Sequence, residues 1–114
     1  MNIWSLEKDN SIKHLLLLLA SDLPSPAYTY CDTSAVDFKA IRLCHPQVPN
    51  MCAYIYTYGH ADERYGIHLE YPVENDIEYS DTIDIYENMA YTHLLELLKV
   101  HFEVSETAVT QSSA

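Results

Sequence analysis

MCAYIYTYGHADERYGIHLEY, running from Met51 to Tyr71, decides the fold. Its first arm, Met51 to Tyr58, carries small or aliphatic side chains at the odd positions Met51, Ala53 and Ile55, and Cys52, Tyr54, Tyr56 and Tyr58 at the even ones. A strand turns successive side chains to opposite faces, so this alternation predicts β structure with one aliphatic and one tyrosine-bearing side. The second arm, Arg64 to Tyr71, repeats the pattern, with Tyr65, Ile67, Leu69 and Tyr71 set against Gly66, His68 and Glu70. Gly59 to Glu63 joins the two arms, a five-residue connection of hairpin length.

On either side the periodicity changes. Ser11 to Leu23 places Ile12, Leu15, Leu16, Leu19 and Leu23 at helical spacing, with Asn10 or Ser11 available as N-cap and Pro24 and Pro26 as the stop. Ala27 to Cys31 is read as a short strand, Val36 to Leu43 fits a helix almost as well as the strand it is read as, and His45 to Asn50 is a turn by composition. Beyond Pro72, Asp76 to Glu87 alternates again. Ile77, Tyr79, Ile83 and Ile85 fall on one side and Glu78, Ser80, Thr82, Asp84 and Tyr86 on the other, which predicts an edge strand with an acidic outer face. Met89 to Phe102 closes the chain as a helix, with Asn88 as its cap and Tyr91, Leu94, Leu95, Leu98 and Phe102 as its buried stripe.

The expected fold class is therefore α+β. An antiparallel sheet of four to five strands would carry an N-terminal and a C-terminal helix packed on one face. Residues 1–104 form one domain in this reading, Ser105 to Ala114 a flexible tail, and Trp4 an anchor for the first residues. If the helices cover the aliphatic side, the outer face shows Tyr54, Tyr56, Tyr58, His68, Glu70, Glu78, Asp84 and Tyr86 together. These eight are the candidate partner-binding residues.

Charge narrows the partner. The 114 residues hold 17 acids against 6 lysines and arginines, a net charge of −11, which repels both nucleic-acid phosphates and anionic membrane surfaces. Between Arg64 and Lys99 lie Glu70, Glu74, Asp76, Glu78, Asp81, Asp84, Glu87 and Glu96 without one lysine or arginine. Disordered acidic tails are poor in aromatic and β-branched residues, whereas this stretch also holds Tyr65, Tyr71, Tyr79, Tyr86, Tyr91 and four isoleucines, so it reads as folded. Ordered tyrosines give rigid contact area and fixed carboxylates steer a cationic partner in, so a basic macromolecule is the expected ligand. Two blander readings compete: tyrosine is a common strand residue that packs across strands, and acidic edges keep sheets from pairing between molecules.

Other chemistry finds little support. Six histidines show no HExxH or comparable ligand spacing, so no metal and no cofactor is expected. Only 2 glycines are present, too few for a phosphate-cradling loop. His68 with Glu70 and His60 could form an acid/base group, yet no nucleophile or oxyanion element accompanies them, and an enzyme is not expected. Arg64 is read as support for its hairpin, paired with Glu63 or Asp62. Cys31, Cys44 and Cys52, an odd count without CxxC spacing, fit reduced thiols in a cytoplasmic protein. The run Leu15 to Leu19 is shorter than the about 7–15 apolar residues of a signal peptide core and far short of a membrane span.

Ala40 to Pro46 (AIRLCHP), Ala53 to Gly59 (AYIYTYG) and Arg64 to Pro72 (RYGIHLEYP), about a third of the chain, resemble small bacterial immunity proteins of contact-dependent growth inhibition and related polymorphic-toxin systems. That resemblance implies a cytoplasmic antidote which binds and blocks a cognate toxin domain, often a nuclease. Toxin domains that handle polyanions tend to be basic, in keeping with the charge reading. It transfers no contact residue and no catalytic motif. The same acidity also fits a nucleic-acid mimic that inhibits a nucleic-acid-binding enzyme, although the acids do not repeat regularly enough to imitate a phosphate backbone. A small hydrolase built on His68, Glu70 and His60 is the remaining alternative.

Overall fold

Asp9, rather than Asn10 or Ser11, starts the first helix. In the computed structural model its carboxylate Oδ2 accepts hydrogen bonds from the Ser11 amide at 3.0 Å and the Ser11 hydroxyl at 2.6 Å, satisfying donors that a helix leaves open at its first turn. The structure describes residues 7–24, 27–30, 37–48, 50–71 and 83–104. Glu78 and the rest of 72–82, Trp4, Cys31 and the expected tail 105–114 lie outside the described residues.

The elements follow in the order α1 (Asn10–Asp22), β1 (Thr29–Tyr30), β2 (Ala40–Cys44), β3 (Cys52–Tyr56), β4 (Arg64–Glu70), β5 (Ile83–Ala90) and α2 (Tyr91–His101). All four strand pairings are antiparallel between sequence neighbours, so the sheet is a five-stranded meander in chain order. The fold is α+β. The β3–β4 hairpin pairs Ala53 with Leu69 and Ile55 with Ile67 on one face, and Tyr54 with His68 and Tyr56 with Gly66 on the other.

Both helices cover the aliphatic face. Ile12, Leu15, Leu16 and Leu19 of α1 and Leu94 and Leu98 of α2 are fully buried, in one cluster with Ile41, Leu43, Ala53, Ile55 and Ile67. The helical stripe seats each helix by apolar burial, at about 1.5–3 kcal/mol per fully buried large side chain.

Strand β5 departs from the expected geometry. Pairing runs Tyr65 to Met89 and then Ile67 to Tyr86, so Glu87 and Asn88 together oppose the single Gly66 in a β-bulge, with Asn88 in the left-handed region at φ 57°. Asn88 does not cap α2, which begins three residues later. Instead its side-chain Oδ1 accepts from Arg64 Nε at 2.9 Å and its backbone carbonyl from Arg64 Nη2 at 2.6 Å, so Arg64 holds the bulge and not Glu63 or Asp62. The register also reverses the faces read from the alternation. Asp84 pairs with Leu69 and Tyr86 with Ile67, which puts both on the helix side, while Ile85 pairs with His68 on the open side and is 57% exposed.

The cysteines differ from the expectation of three reduced thiols. Cys44 is disulfide-bonded. Cys52 faces it across the ladder, Sγ to Sγ 2.9 Å, and burial pushes its thiol above the usual range.

His101 is buried between α2 and the sheet, its Nε2 donating to the Cys52 carbonyl at 2.8 Å and its ring edge-on to Tyr71. Burial holds its pKa below the ordinary 6.5, against backbone contacts to Cys52 and Glu70 and the charges of Asp84 and Glu70, which pull upward. The unfolded chain therefore takes up this proton first, so the stabilisation is complete above the unfolded value and is lost as pH falls through the folded one. Thermal or urea unfolding between pH 8 and 5 is expected to show that loss. His101→Gln, which keeps a donor but does not titrate, should flatten the slope; equal slopes in both proteins would count against His101 as its source.

Candidate partner-binding face

The open side of the sheet is a grid set by register. One row crosses Ala40, Tyr56 and Gly66 to the bulge, the next Arg42, Tyr54, His68 and Ile85, and the third Cys44, Cys52 and Glu70. Gly66 makes the first row possible. A Cβ at that position would be driven into the Tyr56 ring, so the ring lies flat across the glycine backbone and is only 5% exposed. From there its hydroxyl donates to Glu87 Oε2.

Other rings assemble around Tyr56. Tyr58 stacks on it at 4.6 Å and 20°, His68 meets it edge-on at 5.3 Å, and Tyr54 and His60 lie 5.7 and 5.6 Å away. The Tyr54 and Tyr58 hydroxyls share a hydrogen bond of 3.1 Å. Aromatic pairs at these separations contribute about 0.5–1.5 kcal/mol each beyond area burial, so the cluster is a rigid pavement. Its tyrosine stripe is thus structural as well as superficial: Tyr56 is packing, while Tyr58 remains 40% exposed.

Carboxylates border the rings. Glu70 accepts a two-pronged bond from Arg42, Nε to Oε1 at 3.1 Å and Nη2 to Oε2 at 2.8 Å, and the Arg42 guanidinium sits 5.2 Å over the Tyr54 ring. Glu87 accepts from Tyr56 and, at 2.9 Å, from His60 Nε2; the Tyr56 bond first and the imidazole second keep its carboxyl below the usual range. Burial pushes the Tyr56 hydroxyl far above 10, and the Glu87 contact adds to it; burial and the Tyr58 contact push Tyr54 up to about 12. Around neutral pH these phenols stay protonated and serve as donors and contact area.

Of the eight expected residues, the fold brings Tyr54, Tyr56, Tyr58, His68 and Glu70 together on this face. Asp84 and Tyr86 are not with them. Asp84 accepts from the Tyr71 hydroxyl at 2.7 Å, and both line a cleft of about 280 Å³ between β5 and α2, with Leu69, Leu97 and His101. Their places on the open face are taken by Ile85 and Glu87, which the alternation had put on the other side or left out. Arg42 was overlooked as well, because its partner Glu70 lies 28 residues away and two strands over.

The acid/base group does not converge as a unit: Glu70 turns to Arg42, His60 to Glu87, and His68 stands among tyrosine rings. Among the described residues no group of three or more His, Cys, Asp or Glu side chains could hold a metal ion, and no helix is long and apolar enough to cross a membrane. No protein-family model, no curated protein and no solved structure matches this chain.

Proposed function

We propose that this protein binds and neutralises a cognate basic toxin domain in the bacterial cytoplasm, as an immunity protein does, with the open sheet face as its contact surface. The observation that carries the reading is an ordered tyrosine pavement left uncovered by both helices and edged by an ionised Glu87, in a chain of net charge −11. Tyrosine concentrates binding energy in small areas, and the surrounding negative field raises the encounter rate with a cation.

The test mixes the purified chain with the toxin domain encoded next to its gene and follows association by stopped-flow at two ionic strengths. Glu87→Gln keeps the shape of the side chain and one of its two acceptor oxygens and removes the charge. At about 0.01 M salt it is expected to slow association several-fold, and at about 0.5 M the gap should close. Failure to form a complex would remove the toxin reading, and a rate indifferent to charge and salt would remove its electrostatic part.

A further inference from the structure

Two tyrosine–glutamate sets lie side by side on the open face. In the first, Tyr54 and Glu70 hold the chain's own Arg42, its guanidinium over the ring and forked onto the carboxylate. The second consists of Tyr58, stacked on Tyr56, and Glu87, bonded to the Tyr56 hydroxyl tip and to His60. We propose that this second set takes an arginine side chain of the basic partner, its guanidinium lying over Tyr58 and hydrogen-bonded to Glu87. The inference rests on the reading of the protein as a binder of a basic domain and names the chemistry at its centre.

Three observations converge on it. Tyr58 is rigid without being covered: the stack on Tyr56 fixes its plane, the Tyr54 hydroxyl fixes its tip, and 40% of it faces solvent. Glu87 is aimed in the same way, since each oxygen accepts one bond from the chain, while its side chain is 56% exposed. A carboxylate offers about four acceptor positions, so both oxygens can still receive a guanidinium N–H. Lastly, Arg42 shows that a tyrosine ring and a glutamate together hold a guanidinium on this same face. Arginine suits the set better than lysine, being planar, weakly hydrated and able to stack and fork at once.

Full-length protein titrated with acetyl-Gly-Arg-Gly-amide, and with lysine and citrulline counterparts, tests the site by NMR of the tyrosine rings and glutamate side chains. Saturable shifts centred on Tyr58 and Glu87 are expected with arginine, weaker ones with lysine and none with citrulline. Tyr58→Ala and Glu87→Gln should each weaken arginine binding about threefold, and Tyr58→Phe, which keeps the ring, should not. Shifts scattered over the surface, or affinities in Tyr58→Ala and Glu87→Gln equal to that of the unsubstituted protein, would overturn the proposal. Binding of the arginine peptide at Tyr58 without any complex with the neighbouring toxin domain would leave the site standing and remove the toxin reading. A toxin complex that neither substitution weakens would do the reverse.

Discussion

Tyr56→Ala is expected to destabilise the fold by about 3 kcal/mol, an effect usual for core aromatics and unusual for a sheet face without a helix over it. The ring is 5% exposed, touches Tyr54, Tyr58, His60 and His68, and covers the backbone of Gly66. Its removal also takes from Glu87 the hydroxyl donor to its Oε2. The neighbouring glycine supplies a sharper measurement. Gly66→Ala alone should cost about 1–3 kcal/mol, because the ring must leave its seat. With Tyr56 already alanine, a methyl at 66 meets no ring and gains the better strand propensity, so it should be neutral or mildly stabilising. Urea unfolding of the four proteins closes the cycle. A coupling of at least about 1 kcal/mol is expected, and additivity within about 0.5 kcal/mol would show that the ring does not depend on the glycine.

Leu98→Ala should weaken the protein by about 2–5 kcal/mol through an unrelated route. Leu98 is fully buried on α2, in the cluster with Ile55 and Ile67 and on the far side of the sheet from the tyrosines. The cost combines lost transfer energy with the cavity left behind, and circular dichroism during thermal unfolding measures it. Such a variant serves as a control for the binding face. At temperatures where it remains folded, its affinity for a partner should equal that of the parent, whereas Tyr58→Ala should lose affinity at a stability cost of only about 0.5–1.5 kcal/mol from its lost stack. Equal losses in both would mean that the apparent face reports only on folding.

Much of this architecture is legible in the residues because local pattern and burial agree. Both arms of the Met51–Tyr71 hairpin alternate cleanly, so their faces follow from period two, and the leucine stripe of α1 has a single side. Strand β5 was harder. Alternation shows which of its residues share a side but not which side meets the core, and isoleucines at 83 and 85 pointed the wrong way. The deciding feature is the bulge at Glu87 and Asn88, where a positive φ falls on an asparagine and the clamp comes from Arg64, 24 residues earlier. Nothing nearby in sequence signals it. The seat of Tyr56 could have been found, because fixing the hairpin register puts one of only 2 glycines opposite that ring. The Arg42–Glu70 fork could not, since it joins strands that are not neighbours in the sheet.

The kink in β5 divides that strand into halves with separate anchors. Ile83 to Tyr86 are placed by their ladder to Ile67–Glu70, while Met89 and Ala90 are placed by Tyr65 and Arg64 beside the turn of the hairpin. Glu87 and Asn88 sit at the joint, where the arginine grips from the hairpin side. The direction of that acidic group is thus inherited from the most regular part of the molecule, not from the segment leading into β5. Substitutions elsewhere on the open face would retune its contacts while the carboxylate kept its bearing, a layout that lets specificity drift without dismantling the anchor.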